Sequence, residues 1–297
     1  MPFTTTDEMI GSAISGLERY QYLHELLERE IRSKKFYKKA GKCGIDHLCN
    51  QGPLNIFYML ATVGAGTTLP LIPLYDPILL GIEESIATLS ILKSERASQS
   101  LCKKFLNLGN EETLSTISEL SIGRHFHENG YMVEFEVPFI CDRSEVLSSA
   151  KDIDMRVTYG SMVYLIEVYN PFQTIKDLED CNSGMQNPAK SFVSPSQEEI
   201  VRKIRRKTED KFGPNGSRII EPDGRLLLAV NLDYTEELSV FRYFGLDQSF
   251  EKYLCHGLED ISALDGLLTY QLPIDGTILG TVKPKWSLRD ESGHFSN

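Results

Sequence analysis

The hydrophobic pattern of the chain changes period near residue 110, and this switch constrains the fold more than any other feature. Over residues 7–39 and again over 78–105, apolar residues recur at the three- and four-residue spacing of an amphipathic helix. Each of these two stretches is predicted to form one long helix. Beyond residue 110, helical stretches alternate with stretches that have the two-residue period of strands. The sequence therefore predicts an all-helical N-terminal region, residues 1–110, followed by a mixed α/β region, residues 111–297.

The second region has the order helix, three-stranded meander, helix, strand. Gly130 is expected to end the first helix, and Gly160 to form the tight turn between two strands, because glycine adopts positive φ without strain. The predicted elements are a helix at 111–129, strands at 131–139 and on both sides of Gly160 within 152–169, a helix at 196–212 and a strand at 224–234. This order predicts an α+β fold with a mixed sheet flanked by helices.

Composition narrows the range of functions. With 42 acidic and 31 basic residues the formal net charge is −11, so any contact with nucleic acid needs a local basic patch. The six cysteines have no framework spacing and the chain starts without a secretory signal, which favours reduced thiols and a cytoplasmic location. The sequence also lacks the motifs of P-loop nucleotide hydrolases, dinucleotide-binding proteins, zinc proteases and serine hydrolases.

One uncharged stretch raises the question of a membrane span. Residues 51–75 carry no formal charge and are long enough to cross a bilayer. However, Pro53, Pro70 and Pro73 interrupt the stretch, which is only moderately apolar. A buried helix followed by a proline-rich loop is therefore predicted, and no membrane partner is expected.

Acidic residues occur where an apolar hairpin would not favour them. Asp154 lies near the start of the second meander strand, and Glu167 and Tyr169 share one face near the end of the third. Counting six residues back and seven forward from Gly160 brings Asp154 opposite Glu167. Because a buried carboxylate is costly unless it is paired or binds a cation, and carboxylates suit Mg²⁺, this pair predicts a metal site. Asp152 is either a further metal ligand or a solvated residue at the strand end.

This arrangement resembles the core of the PD-(D/E)XK phosphodiesterase superfamily, which has the restriction-endonuclease-like fold. The resemblance covers about residues 111–234, with 267–283 as an extension of the sheet, and leaves the N-terminal third unexplained. It makes Asp154 and Glu167 the metal-binding acids, and Glu119 the acidic residue of the first helix. It implies a nuclease that hydrolyses phosphodiester bonds with Mg²⁺ or Mn²⁺.

The chain departs from the superfamily at the motif lysine, where it has Tyr169. A phenol with a pKa near 10 does not replace an ammonium that orients water and offsets negative charge, so Tyr169 is expected to stack or to form a hydrogen bond. Some superfamily members carry the lysine on the following helix, where Lys207 and Lys203 flank the apolar stripe. The alternative is that these lysines belong to a solvated face, as charge runs usually do. Without a replacement the enzyme would be weakened.

The same helix carries the best local basic patch in this acidic protein and is the predicted DNA-binding patch, with RNA as the alternative partner. The cluster consists of Arg202, Lys203, Arg205, Arg206 and Lys207. The apolar faces of the two N-terminal helical stretches are a candidate homodimer interface, because binding one duplex with two-fold related sites requires a dimer.

Three functions remain open at this point. The first is a Mg²⁺-dependent DNA nuclease. The second is a catalytically inactive module of the same fold that binds nucleic acid or protein. The third is an unrelated α+β interaction protein whose acids form salt bridges with Arg156 and the helix lysines. Fold class alone does not decide among them.

Overall fold

The structure is a computed structural model that describes residues 3–50, 55–66, 72–108, 113–138, 152–170, 197–212, 224–232, 254–261, 264–271, 282–290, 292 and 294–296. These residues form two compact units that divide between His125 and Phe126. The first unit is helical and the second contains the sheet. The division lies inside the helix that follows the predicted boundary at residue 110.

The helical unit begins with seven helices, and an eighth runs across the division between the units. Their bounds are α1 (Thr6–Leu17), α2 (Gln21–Ile31), α3 (Lys34–Cys43), α4 (Ile45–Asn50), α5 (Ile56–Gly64), α6 (Ile72–Thr88), α7 (Glu95–Phe105) and α8 (Thr113–Glu128). A single 3-10 turn, Ile91–Lys93, separates α6 from α7.

The prediction of one helix over residues 7–39 is wrong, because α1, α2 and α3 are separate helices. Tyr20 interrupts the helix with extended backbone angles, and its hydroxyl donates a hydrogen bond to Asp76. The carboxylate of Glu83, in α6, then accepts hydrogen bonds from two N–H groups at the start of α2, at 2.7 and 2.8 Å. Ser33 caps α3 by accepting a hydrogen bond from the Phe36 N–H at 3.1 Å. Contacts with α6 therefore fix a break that the hydrophobic spacing does not reveal.

The helix predicted over residues 78–105 is also divided. Ser90 adopts a left-handed conformation, with φ 51°, directly after α6. Ser94 then caps α7, accepting a hydrogen bond from the Ala97 N–H at 3.3 Å. Apolar spacing continues through this break because both α6 and α7 bury their apolar faces. The end of α6 and the start of α7 therefore cannot be recognised from the spacing alone.

The uncharged stretch contains the predicted buried helix. Every side chain of α5 from Ile56 to Val63 is buried, and Asn55 caps the helix by accepting hydrogen bonds from the Phe57 and Tyr58 N–H groups at 2.9 and 3.3 Å. Within the described residues, no helix combines the length and the apolar character needed to cross a membrane.

Two glycines allow α1 and α5 to approach each other closely. A Cβ atom added at Gly64 would lie 1.8 Å from the carbonyl oxygen of Ser12, and one at Gly16 would lie 2.1 Å from that of Leu60. Both distances are too short for any side chain, so the backbones of the two helices are in direct contact. The crossing of α1 and α5 therefore depends on these two glycines.

The second unit is built on one mixed sheet of seven strands that follow their order along the chain. They are β1 (Met132–Pro138), β2 (Asp152–Tyr159), β3 (Met162–Tyr169), β4 (Gly224–Asn231), β5 (Gly266–Tyr270), β6 (Lys285–Arg289) and β7 (Phe295–Ser296). Strands β1, β2 and β3 form an antiparallel meander, β4 and β5 continue parallel to β3, and β6 and β7 return antiparallel. The predicted α+β fold with a mixed sheet is confirmed.

Helix α9 (Gln197–Phe212) follows the meander and packs on one face of the sheet. Its apolar residues Ile204 and Phe212 share a buried cluster with Leu226, Leu228 and Val230 of β4. The row of side chains next to these apolar residues of α9 consequently lies near the end of β3.

We expect Gly64→Ala to destabilise the helical unit by about 1–3 kcal/mol, because the added methyl group forces the backbones of α1 and α5 apart. Gly11→Ala is the matched control in α1. Its added Cβ meets nothing within 4 Å, so this variant should gain about 0.5–1 kcal/mol from the better helix former. Urea unfolding followed by circular dichroism measures both changes. Equal stabilities for the two variants would contradict the close crossing.

Candidate active site

The hairpin between β2 and β3 sets the register of the candidate site. Gly160 has φ 58° at the turn, and the pairing runs from Tyr159 opposite Met162 to Met155 opposite Ile166. One further step in this register puts Asp154 opposite Glu167. The observed pairing ends one residue before this position, and the charge of Asp154 acting on Glu167 supports their proximity. Residues opposite each other in a strand pair lie on the same face.

Asp154 is held against β3 by the backbone. Its Oδ2 accepts a hydrogen bond from the Val168 N–H at 2.8 Å. This bond orients the carboxylate toward the end of β3 while leaving its second oxygen for another partner. No lysine or arginine in the described part of the chain forms an ion pair with Asp154.

Glu167 forms an ion pair with Lys211, which lies in the last turn of α9. Both side chains are mostly buried, with 20% of the glutamate and 17% of the lysine side chain exposed. Lys203 and Lys207 were the predicted lysines, whereas Lys211 was not predicted. The signal was the four-residue spacing of these three lysines, which places them along one ridge of the helix.

The surroundings of Glu167 raise its pKa to about 7. Burial is the largest cause because it disfavours the charged form, and the nearby charge of Asp154 acts in the same direction. The ammonium groups of Lys211 and Lys207 oppose this shift and lower the pKa. At neutral pH Glu167 is therefore close to the midpoint of its titration.

The direction of this shift fixes how Glu167 affects stability. Because the pKa of Glu167 is raised in the folded protein, the folded state holds the proton more tightly than the unfolded state, whose ordinary value is 4.5. The contribution to stability is fully present below pH 4.5 and is lost as the pH rises through about 7. A cation close to the Glu167 carboxylate offsets this loss of stability.

Tyr169 packs in the core and also lines the cavity between the sheet and α9. It is 6% exposed and belongs to the buried cluster on the α9 face of the sheet. Burial raises the pKa of its phenol to about 12, so the group stays neutral. The Nζ of Lys207 lies 5.0 Å from the centre of its ring. This packing leaves little ring surface for the stacking that the sequence analysis expected.

A cavity of about 370 Å³ lies between the sheet and α9. Asp152 and Glu167 line it from the strands, and Lys207, Asp210 and Lys211 line it from the helix. The structure thus brings two of the three predicted metal ligands into one cavity, next to Asp154. It also brings Lys207 there, whereas Lys203 is exposed on α9.

Glu119 lies in the helical unit, where it already has a partner. Its carboxylate accepts a hydrogen bond from the Lys104 Nζ at 2.7 Å, and 8% of the glutamate side chain is exposed. A buried charge of this kind needs its partner, which gives Glu119 a structural role in α8.

The predicted basic patch is partly neutralised by neighbouring acids. Arg205 binds both carboxylate oxygens of Asp260 and donates to the Gly257 carbonyl at 2.7 Å. Arg206 lies 3.7 Å from Asp210, four residues along the helix. Arg205 therefore holds the helix to the 254–261 segment, and the exposed cations of the patch are Arg202, Lys203, Arg206 and Lys207.

The pairing of β1 with β2 is interrupted beside the site. Glu136 has φ 54°, and the pairing passes from Phe135 opposite Met155 to Val137 opposite Ile153. The position opposite Asp154 is therefore the one where β1 leaves regular geometry. A glutamate at positive φ is uncommon, and this conformation could not be predicted because the alternation of β1 continues through the residue.

Metal ligation by a large cluster is not part of the described structure. Among the residues that the structure describes, no group of three or more His, Cys, Asp or Glu side chains is arranged to hold a metal ion. Asp154 and Glu167 form a pair, and Mg²⁺ is commonly bound by one or two carboxylates that are supplemented by water and substrate oxygens.

Comparison with models of known protein families gave no match, and comparisons with curated proteins and with solved structures gave none either.

The electrostatic account of Glu167 predicts two opposite shifts. Asp154→Asn should lower the pKa of Glu167 because it removes a neighbouring negative charge, whereas Lys211→Gln should raise it because it removes the compensating ammonium. Carbon-detected NMR of the Glu167 carboxyl group across pH 4–9 measures both. Arg202→Gln removes a positive charge from an exposed position on the same helix and is the control, which should leave the pKa near its value of about 7. One common midpoint in all four proteins would contradict the account.

Proposed function

We propose that the second unit is a Mg²⁺-dependent nuclease that hydrolyses phosphodiester bonds of DNA, with RNA as the alternative substrate. The observation that carries the proposal is the pairing of Asp154 and Glu167 on adjacent strands beside a cavity that also contains Lys207 and Lys211. Glu167 and Asp152 line this cavity together with the two lysines, and acids and cations in one cleft are the groups that phosphoryl transfer requires.

The topology supports the same proposal. A helix, three antiparallel strands, a second helix and a strand parallel to the third occur in the order that the restriction-endonuclease-like core has. The two acids lie on β2 and β3, the strands that carry the metal-binding residues in that superfamily. Because a fold does not define an activity, this support is secondary to the side chains.

The residues fit a hard divalent cation. Asp154 and Glu167 would hold Mg²⁺ or Mn²⁺, with Asp152 within the same cavity as a further oxygen donor. When bound, the ion would lower the pKa of a coordinated water and neutralise charge on the phosphate. Glu167 must be ionised to act as a ligand, so its pKa of about 7 favours activity on the alkaline side of neutrality.

Lys211 is our candidate for the missing motif lysine. Its ammonium contacts Glu167 from α9, two residues along β3 from the position that Tyr169 occupies. In this position a fixed positive charge stabilises negative charge that develops on a bound phosphate. Lys207 adds a second cation on the same side of the cavity, while Tyr169 supports Lys207 through its ring.

A second function is favoured by the same ion pair. Lys211 already compensates Glu167, so this carboxylate has a cationic partner without a metal ion. A catalytically inactive module of this fold, binding nucleic acid or protein, would keep the pair for stability alone. The third alternative, an unrelated interaction protein, predicted ion pairs between the site acids and both Arg156 and the helix lysines. The ion pair of Glu167 with Lys211 is of the kind that this alternative predicted, and Arg156 contacts Glu134 of β1 at 2.9 Å.

Cleavage of plasmid DNA distinguishes these functions. Wild type with Mg²⁺ or Mn²⁺ should nick or degrade the DNA, and chelation by EDTA should stop it. Asp154→Ala and Glu167→Gln should each lower the rate on the order of 10³-fold, because each removes a metal ligand. Lys211→Gln should lower it less, because the ammonium supplies only part of the electrostatic stabilisation.

Glu209→Gln is the matched control for Glu167→Gln, since it makes the same change at an exposed position of α9. Its rate should match wild type. Cleavage that survives both Asp154→Ala and Glu167→Gln would rule out the proposed site. Metal binding without cleavage in the wild type would favour the inactive module.

A further inference from the structure

Helix α3 is the most basic element of the described chain. Its ten residues include five lysines and no acidic residue, in a protein whose net charge is −11. Helix α9, the predicted nucleic-acid contact, has six basic residues but also four acidic ones. The strongest local positive charge therefore lies in the helical unit.

The lysines of α3 share one face. At 100° per residue they fall within an arc of about 140°, and all five are exposed. The opposite face is buried through Phe36, 3% exposed, and Ala40, fully buried. The packing of α3 thus leaves the complete basic face on the surface. The lysines are Lys34, Lys35, Lys38, Lys39 and Lys42.

The lysines of this basic face have no carboxylate partner in the described part of the chain. Lys39 donates to the Leu106 carbonyl at 3.0 Å, which leaves its charge uncompensated. On α9, by contrast, Arg205 and Lys211 are bound to Asp260 and Glu167. Exposed cations that are not paired within the protein attract an external polyanion.

A groove next to α3 indicates along which helices such a polyanion would lie. A groove of about 830 Å³ runs between α2, α3 and α7. Lys35 and Lys39 line it from α3 and Lys103 from α7, whereas α2 contributes Glu25 and Glu30 beside Arg29. The two glutamates repel an anion from the α2 side, so phosphates are favoured along the α3 and α7 sides.

The chemistry of α3 fits a nucleic-acid backbone better than a membrane surface. A helix that lies in a bilayer interface inserts an apolar face, and the apolar residues of α3 are buried in the protein. Its exposed aromatic residue, Tyr37, is 38% exposed and flanks the lysines. A helix of ten residues spans about 15 Å, along which duplex DNA presents about nine phosphate charges.

We propose that the basic face of α3 binds the phosphodiester backbone of nucleic acid, so that the helical unit supplies the main electrostatic contact with the polymer. The choice of nucleic acid as the polyanion rests on the proposed function, but binding by α3 does not require cleavage. The face reads no bases, because lysine contacts with phosphates carry no direct sequence information.

The test is binding of a fluorescent 20-base-pair DNA duplex by the full-length protein, measured by anisotropy in EDTA at several salt concentrations. The variant carries Lys35→Gln, Lys38→Gln and Lys42→Gln. Its affinity at low salt should fall about tenfold or more, and the slope of log K against log salt should decrease in magnitude by about 2.7, which is three phosphate contacts. Circular dichroism melting should show an unchanged fold, because the three side chains are exposed.

A triple variant of α9 with Arg202→Gln, Lys203→Gln and Arg206→Gln makes the same change in net charge and is the matched control. It should lose clearly less affinity than the α3 variant. Equal losses would mean that total charge decides binding, and full affinity of the α3 variant, or no binding by wild type, would also overturn the proposal. So would an α3-dependent interaction with vesicles of anionic phospholipid when DNA binding is unaffected.

The proposed nuclease function fails separately. Loss of affinity in the α3 variant together with an absence of cleavage in wild type would leave the α3 proposal standing and remove the nuclease. Cleavage by wild type with an α3 variant that binds normally would do the reverse.

Discussion

The candidate site depends on the compensation of one largely buried carboxylate, that of Glu167. Its side chain lies between the end of β3 and the last turn of α9, where water screens its charge only in part. Lys211 reaches it from the helix, and Asp154 lies opposite on β2, fixed by the Val168 N–H. Removing the lysine would leave a mostly buried charge without its partner, which is among the more costly changes in a protein.

This requirement also links the helix to the sheet. The apolar residues Ile204 and Phe212 place α9 over β4, and Lys211, adjacent to Phe212, then meets β3 at Glu167. Apolar packing sets the position of the helix, and the ion pair selects its rotation. The cavity that results carries Asp152 and Glu167 on the strand side, and two lysines with Asp210 on the helix side.

The parts of the structure that local pattern determines could be predicted from the sequence. The glycine at 160 and the alternation of the flanking strands define a register, and this register was enough to bring Asp154 opposite Glu167. Lys211 could not be selected over Lys203 and Lys207, because all three share a ridge and the choice depends on where β3 ends beneath it. The helix breaks at Tyr20 and Ser90 were missed because a distant Glu83, in the first case, and a left-handed serine, in the second, do not disturb apolar spacing.

The Glu167–Lys211 ion pair is compatible with both leading functions, the nuclease and the inactive module. In a nuclease, Lys211 would neutralise the Glu167 carboxylate until a divalent cation competes for that carboxylate. In an inactive module the ion pair would persist. The two functions differ in one free-energy comparison. A nuclease requires that cation binding by Asp154 and Glu167 is more favourable than the part of the Glu167–Lys211 interaction that is lost when the cation binds. The proposed binding of nucleic acid by the basic face of α3 is compatible with either function, because it does not require cleavage.

The most direct test of this account is calorimetric titration of Mn²⁺ and Mg²⁺ into wild type, Asp154→Asn and Lys211→Gln at pH 8. At this pH Glu167, with a pKa of about 7, is mostly ionised in the wild type. The account predicts one binding site in wild type and its loss in Asp154→Asn. In Lys211→Gln it predicts a site whose affinity rises at higher pH than in wild type, because removing the ammonium raises the pKa of Glu167. Metal binding that is the same in wild type and Asp154→Asn, or no binding to any of the three, would contradict it.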